Sequence, residues 1–238
     1  MQYPGVNLEI NDPNFDLKKA PETDKLGFIR KVYGILSSQL LLTVIFCGIV
    51  MSNETLTEFV QNDIAVFVIS IIVAIALMLV LIFSKDKARK VPTNYILLII
   101  FTLCESYMVS TAYTFYDAYT VIAAALMTLG VTLVLTVYAF LTKKEFRHPV
   151  GVSLSFISSI ILLMIFAFYN VGNHYSVIWC FVGVNFYGIY IIYDTQLIVN
   201  GSKYGITTDD YVVGAMILYI DIIGLFLKIM ALIGKVKK

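Results

Sequence analysis

Charge is what this chain has least of. Asp, Glu, Lys and Arg make up 14% of its 238 residues, against roughly 25% in soluble domains. Hydrophobic residues make up 59%, above the usual ~45–50%. A chain this oily is neither disordered nor a water-soluble monomer. Its net charge of +1 leaves no basic face for a phosphate backbone, which excludes a nucleic-acid binder. Three cysteines, Cys47, Cys104 and Cys180, all lie inside apolar stretches. They are too few and too buried for a disulfide framework or a zinc site. His148 and His174 are far apart in sequence and form no ligand motif. There is no Gly-rich phosphate loop, no His-Glu-x-x-His and no Gly-x-Ser-x-Gly, so neither a cofactor nor an enzymatic activity is expected.

What the chain has instead is apolar runs. A hydrocarbon core about 30 Å thick needs ~20 apolar residues in a helix. Seven windows meet that requirement: 32–51, 64–83, 95–114, 119–141, 150–169, 176–197 and 211–233. Residues 148–193 contain no Asp, Glu, Lys or Arg, and the polar break Asn170-Val171-Gly172-Asn173-His174 divides that run in two. Single strands cannot cross lipid, because every backbone group must be satisfied there. A barrel would alternate with period two, whereas 64–83 is uniformly apolar. The expected fold is all-α, a bundle of seven transmembrane helices over residues 32–238. A polar, mobile, cytosolic tail over residues 1–31, interrupted by Pro4, Pro13 and Pro21, precedes it. With no early apolar core of the signal-peptide type, no cleavage is expected.

Basic residues set the orientation. The tail carries Lys18, Lys19, Lys25, Arg30 and Lys31; the second loop Lys85, Lys87, Arg89 and Lys90; the fourth Lys143, Lys144 and Arg147. The first, third and fifth loops carry none, which places the N-terminus in the cytosol. Lys203 is alone in the sixth loop, and Lys228, Lys235, Lys237 and Lys238 end the chain. Seven full crossings put that basic end on the opposite side, against the rule. Either the last segment re-enters, or the first six spans override it; the length of 211–233 favours a full crossing. Two glycosylation sequons, Asn53-Glu54-Thr55 and Asn200-Gly201-Ser202, fall in the first and sixth loops, the first close to the membrane.

An ionisable group inside a span costs at least ~2.5–3.5 kcal/mol and points to function. Three acids qualify: Glu105, Asp194 and Asp221. Glu105, beside Ser106, Ser110 and Thr111, reads equally well as a packing residue in a polar seam. Asp194 and Asp221 read as a pair. Gly214, Asp221 and Lys228 recur every seven residues and share a helix face, joined by Gly224 one turn on. Tyr187, Tyr190 and Asp194 form a comparable stripe on the preceding span, and sequential helices joined by a short loop usually pack together. Two carboxylates meeting in low dielectric share one proton and titrate in two steps. Acid bridges them; at higher pH the second charge repels its neighbour or calls for a hard cation such as Ca²⁺. Asp194 and Asp221 are therefore the candidate pH sensor and transient Ca²⁺ ligands, with H⁺ and Ca²⁺ as partners alongside the lipid bilayer. Arg89 and Lys90 are candidate counter-charges, and equally a plain topology signal. Lys228 is expected to snorkel to the interface. An intramembrane aspartyl protease would carry Tyr-Asp and Gly-x-Gly-Asp on neighbouring helices. Tyr193-Asp194 matches the first, but Leu218-Tyr219-Ile220-Asp221 lacks both glycines.

Several stretches in order resemble the transmembrane Bax-inhibitor-motif family, in its lifeguard branch. They are Phe28-Ile29-Arg30-Lys31-Val32-Tyr33 with Gln39-Leu40-Leu41-Leu42-Thr43, and Arg89-Lys90-Val91-Pro92 with Asn94-Tyr95-Ile96-Leu97-Leu98. Further along come Phe101-Thr102-Leu103-Cys104-Glu105-Ser106-Tyr107, Tyr193-Asp194-Thr195-Gln196-Leu197-Ile198, Asp210-Tyr211 and Leu218-Tyr219-Ile220-Asp221-Ile222-Ile223. The resemblance implies seven helices with the last enclosed by the other six. It also implies a pH-sensitive calcium leak across an intracellular membrane, endoplasmic reticulum or Golgi, and suppression of cell death. Within it, Asp194 and Asp221 form the pH-sensing pair, with a basic residue near the second helix, here Arg89, as partner. Two departures stand out. Gly224 takes the place of the usual Asn, which removes a polar contact near Asp221, and the N-terminal tail lacks the long Pro/Gly-rich run of some relatives. The alternatives to a leak channel are an interaction protein that blocks death signalling by binding apoptosis-regulating membrane proteins, and a proton-coupled carrier.

Overall fold

Every described element is an α-helix, as a chain surrounded by lipid requires, because only a helix satisfies all its backbone groups within one segment. The structure, a computed structural model, describes residues 22–141, 174–200 and 207–234, with the backbone alone described at 174–180 and 200. The expected fifth span (150–169), Lys143, Lys144, Arg147, His148, Gly201 and Ser202 of the second sequon, Lys203 and the lysines at 235, 237 and 238 lie outside the described residues, as do residues 1–21.

The helices are α1 (Glu22–Met51), α2 (Glu54–Asn62), α3 (Ile64–Phe83), α4 (Lys85–Arg89), α5 (Thr93–Tyr113), α6 (Ala118–Leu141), α7 (His174–Asn200) and α8 (Tyr211–Ile233). Five of them, α1, α3, α5, α6 and α8, are long and apolar enough to cross a membrane. The 27-residue α7 occupies the place of the expected sixth span. The windows 64–83 and 211–233 coincide with α3 and α8. The expected boundary at residue 31 moves: α1 starts at Glu22, so 22–31 is helix and not tail. The reason is amphipathic, since Phe28 and Val32 are buried while the charged residues of that stretch face outward. The first loop also folds, into α2. The Asn53 side chain accepts a hydrogen bond from the Leu56 amide at 3.2 Å, an N-cap. Asp63 and Asp117 cap α3 and α6 in the same way, accepting from the amides of Val66 (3.1 Å) and Thr120 (2.9 Å).

The packing is that of a protein in lipid. The outer face of α6 presents Ile122, Leu126, Leu129, Leu133 and Val137, each more than half exposed, while its inner face buries Thr120, Ala124 and Thr128. Bulky aliphatics look outward and small or hydroxylated residues look inward, so that neighbouring backbones approach closely. In water such a bare surface would be an aggregation patch. In a bilayer it is the solvated face.

The last helix, α8, is the most buried span. It packs against α1, α5, α6 and α7, and Val212, Ala215, Met216, Tyr219, Leu225 and Ile229 have no exposed surface. A chain of hydroxyls and amides ties it to α1 and α5. The hydroxyls of Tyr219 and Thr43 meet at 2.8 Å, and Ser106 Oγ donates to Thr43 Oγ1 at 3.0 Å. Gln39 Nε2 donates to Thr102 Oγ1 at 3.0 Å. Interhelical hydrogen bonds of this kind contribute about 0.6 kcal/mol on average and up to ~1.7 in membrane proteins. Tyr219→Phe removes one of them without changing the core volume. Reversible unfolding in detergent or lipid is expected to show a loss of roughly 1 kcal/mol; an unchanged or raised stability would mean that the network is not holding α1 to α8.

Candidate functional site

The site starts from three glycines. A Cβ at Gly183 of α7 would stand 2.8 Å from Lys228 Cδ of α8, and a Cβ at Gly224 of α8 would fall on the ring of Tyr187 of α7. At Gly214 a Cβ would lie 3.6 Å from Ile198 Cγ1 of α7 and 3.3 Å from Val32 Cγ2 of α1. Gly183 and Gly224 therefore each accept a large side chain from the opposite helix, while Gly214 is closest to Val32 of α1 and in ordinary contact with Ile198 of α7.

The structure brings Asp194 and Asp221 together. Both are buried, 8% and 6% exposed, and their carboxyl groups lie within hydrogen-bonding reach of each other. No amide or hydroxyl among the described residues donates to Asp221 Oδ2. A carboxylate only accepts hydrogen bonds, so a bond between these two groups contains one proton.

The other candidates are placed differently. Tyr187 faces α8, but Tyr190 is 47% exposed and looks away from the pair. Glu105, half-buried on α5, is not a partner of the pair. It lies near Tyr219 and Tyr187, and Tyr187 is also near Asp221. Lys228 lies along the surface of Gly183, so its aliphatic stem is part of the α7–α8 seam. Lys90 is exposed. Cys47 and Cys104 are free thiols. Among the described residues there is no group of three or more His, Cys, Asp and Glu able to hold a metal ion. Ca²⁺ takes six to eight oxygens, more than two carboxyl groups supply.

Arg89 makes a bidentate pair with Asp210, the residue just before α8. Arg89 Nε lies 2.7 Å from Asp210 Oδ1, and Nη2 lies 2.9 Å from Oδ2. Oδ2 also accepts from the Thr207 amide at 2.9 Å and the Thr207 hydroxyl at 3.0 Å. In the sequence Asp210 stands out only as part of the Asp210-Tyr211 motif. Its partner is 121 residues away, and no local pattern announces it. Nearby, the Lys31 ammonium sits 5.1 Å above the Tyr211 ring, and Tyr95 packs against the same ring. A cavity of about 260 Å³ is lined by Asp210, Lys85 and Asp194 together with apolar residues of α3, α7 and α8.

Burial by itself would push the Asp210 carboxyl up, but the hydrogen bonds from Arg89 and Thr207 and the guanidinium charge outweigh it and hold the group below the usual carboxylate range. A depressed value in the fold means that the contribution to stability is complete above the unfolded value, ~3.9, and is lost as pH falls through the folded one. Asp210→Asn is therefore expected to cost roughly 1–3 kcal/mol, by an amount that stays constant from pH 5 to 8. Thermal midpoints of both proteins across that range check this; a gap that narrows inside it contradicts the assignment.

Comparison with known proteins agrees with the helical architecture. Residues 26–238 match the family model described as inhibitor of apoptosis-promoting Bax1. The chain is similar to protein lifeguard 3 of Homo sapiens, 32% identical over 98% of this chain and 76% of the relative. It is similar to protein lifeguard 4 of Mus musculus, 30% identical over 99% and 97%. It is also similar to Bax inhibitor 1 of Schizosaccharomyces pombe, 31% identical over 88% and 77%. With its apolar helices, its buried helical centre and these matches along nearly its whole length, the chain belongs to the Bax inhibitor and lifeguard family of multi-pass membrane proteins.

Proposed function

We propose that this protein is a proton-gated, calcium-permeable leak pathway of an intracellular membrane, endoplasmic reticulum or Golgi, and that it suppresses apoptosis. The observation that carries the reading is the meeting of Asp194 and Asp221 in an interior whose other buried polar side chains, among the described residues, are neutral hydroxyls and amides. With one proton between them the two helices are bridged. With the proton gone, two like charges within hydrogen-bond distance repel each other strongly in low dielectric. The pair then separates or draws in a cation, and carboxylate oxygens favour a hard one. The N-terminus lies in the cytosol in this reading, as the distribution of Lys and Arg favours.

The family's description as an inhibitor of apoptosis-promoting Bax1 favours a second reading, a membrane interaction protein that acts on death signalling through partners and transports nothing. Calcium-loaded liposomes separate the two. The leak reading expects release that grows as pH rises through the titration of the pair, and that loses its pH dependence in Asp194→Asn and in Asp221→Asn. Release that is identical in the native chain and both variants removes the gating role. Purified protein with no release at any pH, but protective in cells, selects the second reading.

A further inference from the structure

Asp194 does more than meet Asp221: it is also one of the residues that line the 260 Å³ cavity. Most of that lining is hydrocarbon. Leu81 and Ile82 come from α3, Leu197 and Ile198 from α7, and Val213 and Ile217 from α8. Lys85 and Asp210 complete the charged part. The volume falls just below the ~300–1,000 Å³ of ordinary small-molecule sites, so an occupant has to be small and compact. Such sites are apolar, with a few placed polar groups that fix the orientation of the ligand. Here the apolar wall holds a buried acid.

The chain supplies no counter-charge to that acid. With one proton between them, Asp194 and Asp221 carry one negative charge, and a buried charge calls for a partner. Arg89 is committed to Asp210 by two hydrogen bonds, so the Asp210 charge is already matched. Among the described residues no Lys or Arg forms an ion pair with Asp194 or Asp221. Lys85, the first residue of α4, shares the lining but makes no bond to Asp194. A carboxylate has about four lone-pair sites. The contact with Asp221 uses part of them and leaves the others for a donor in the cavity.

We propose that this cavity is a binding site for a small hydrophobic amine, whose ammonium donates to Asp194 while its hydrocarbon body lies on Leu81, Ile82, Leu197, Ile198 and Ile217. An aliphatic amine keeps its proton from pH 5 to 8, as a lysine side chain does with its pKa of ~10.4. A hydrogen bond between two ions is about twice as strong as a neutral one, and low dielectric strengthens it further. An alcohol of the same shape gains only the neutral bond. A carboxylate of the same shape meets Asp194 with a like charge and has Lys85 alone to bind it. The site therefore selects by charge first and by size second. A bound ammonium also takes the oxygens that a metal ion would need. That consequence for calcium rests on the leak reading above; the binding site does not.

Binding of radiolabelled cyclooctylamine to the full chain in liposomes, with binding to empty liposomes subtracted, tests this. Saturable binding is expected, roughly tenfold or more tighter than that of cyclooctanol, the factor that corresponds to one charge-assisted hydrogen bond. Cyclooctanecarboxylate is expected to show no saturable binding. Asp194→Asn is expected to weaken the amine by roughly tenfold or more and to leave cyclooctanol unchanged, a sign that the cavity is still formed. Ile217→Phe, which fills the cavity and keeps the acid, is expected to weaken both ligands. Equal affinity for amine and alcohol in the native chain overturns the proposal, as does tighter binding of the carboxylate, which makes Lys85 the recognising group. Amine binding that survives Asp194→Asn or Ile217→Phe intact overturns it too. If Asp194→Asn loses cyclooctanol as well, that variant has lost the cavity, and the three ligands on the native chain with Ile217→Phe decide. Calcium release from the same vesicles separates the two readings. Saturable amine binding without any change in release leaves the site standing and removes the leak through this cavity; release without amine binding does the reverse.

Discussion

Helices that carry an acid through lipid have to give it a partner, and here the partner is another acid. The cost of an isolated charge at that depth is avoided only if the two carboxyl groups reach each other, and they reach each other because the helices bearing them are packed unusually close. Gly183 and Gly224 provide that closeness. Each leaves a hollow that Lys228 or Tyr187 fills from the opposite helix. The proposed function rests on this seam: the burial of Asp194 and Asp221, their contact, and the position of Asp194 on the lining of a cavity.

The rest of the bundle fixes the seam in place. α8 is gripped by α1 and α5 through Tyr219, Thr43, Ser106, Gln39 and Thr102, and the residue preceding it is tied to α4 through Arg89 and Asp210. These are polar attachments in an apolar surrounding, where lipid tails compete poorly for hydrogen bonds and direction counts for more than area. The aliphatic outer faces of α3 and α6 carry no such information and serve as contact with lipid. The protein is thus ordered from the inside by a small number of polar contacts, the reverse of a water-soluble core.

Much of this was legible in the sequence. Spans such as 64–83 and 211–233 were readable to the residue because lipid demands an unbroken apolar run and tolerates nothing else. The facing of Asp194 and Asp221 followed from helical spacing, since Gly214, Asp221, Gly224 and Lys228 share one side of α8. What spacing does not carry is a partner far along the chain. Arg89 was read as a counter-charge to the inner acids, but its bond to Asp210 depends on how α4 docks against the start of α8. Gly224 was read as the loss of a polar contact, and the structure shows the tyrosine ring that takes the space. The start of α1 and the folding of α2 were missed for a different reason. Both segments are mixed in polarity, and their helicity comes from one buried stripe, Phe28 and Val32, and from one cap, Asn53, rather than from an apolar run.

The central claim is that Asp194 and Asp221 act as one titrating unit, and a double-mutant cycle measures that unit without reference to transport. Unfolding free energies in lipid are compared for the native chain, Asp194→Asn, Asp221→Asn and the double variant. Residues in direct contact couple by about 0.5–3 kcal/mol, whereas independent sites add to within ~0.5 kcal/mol. The account predicts a coupling of at least ~1 kcal/mol at pH 5, where the shared proton is held, that changes on going to pH 8. Additive effects at both pH values would contradict it.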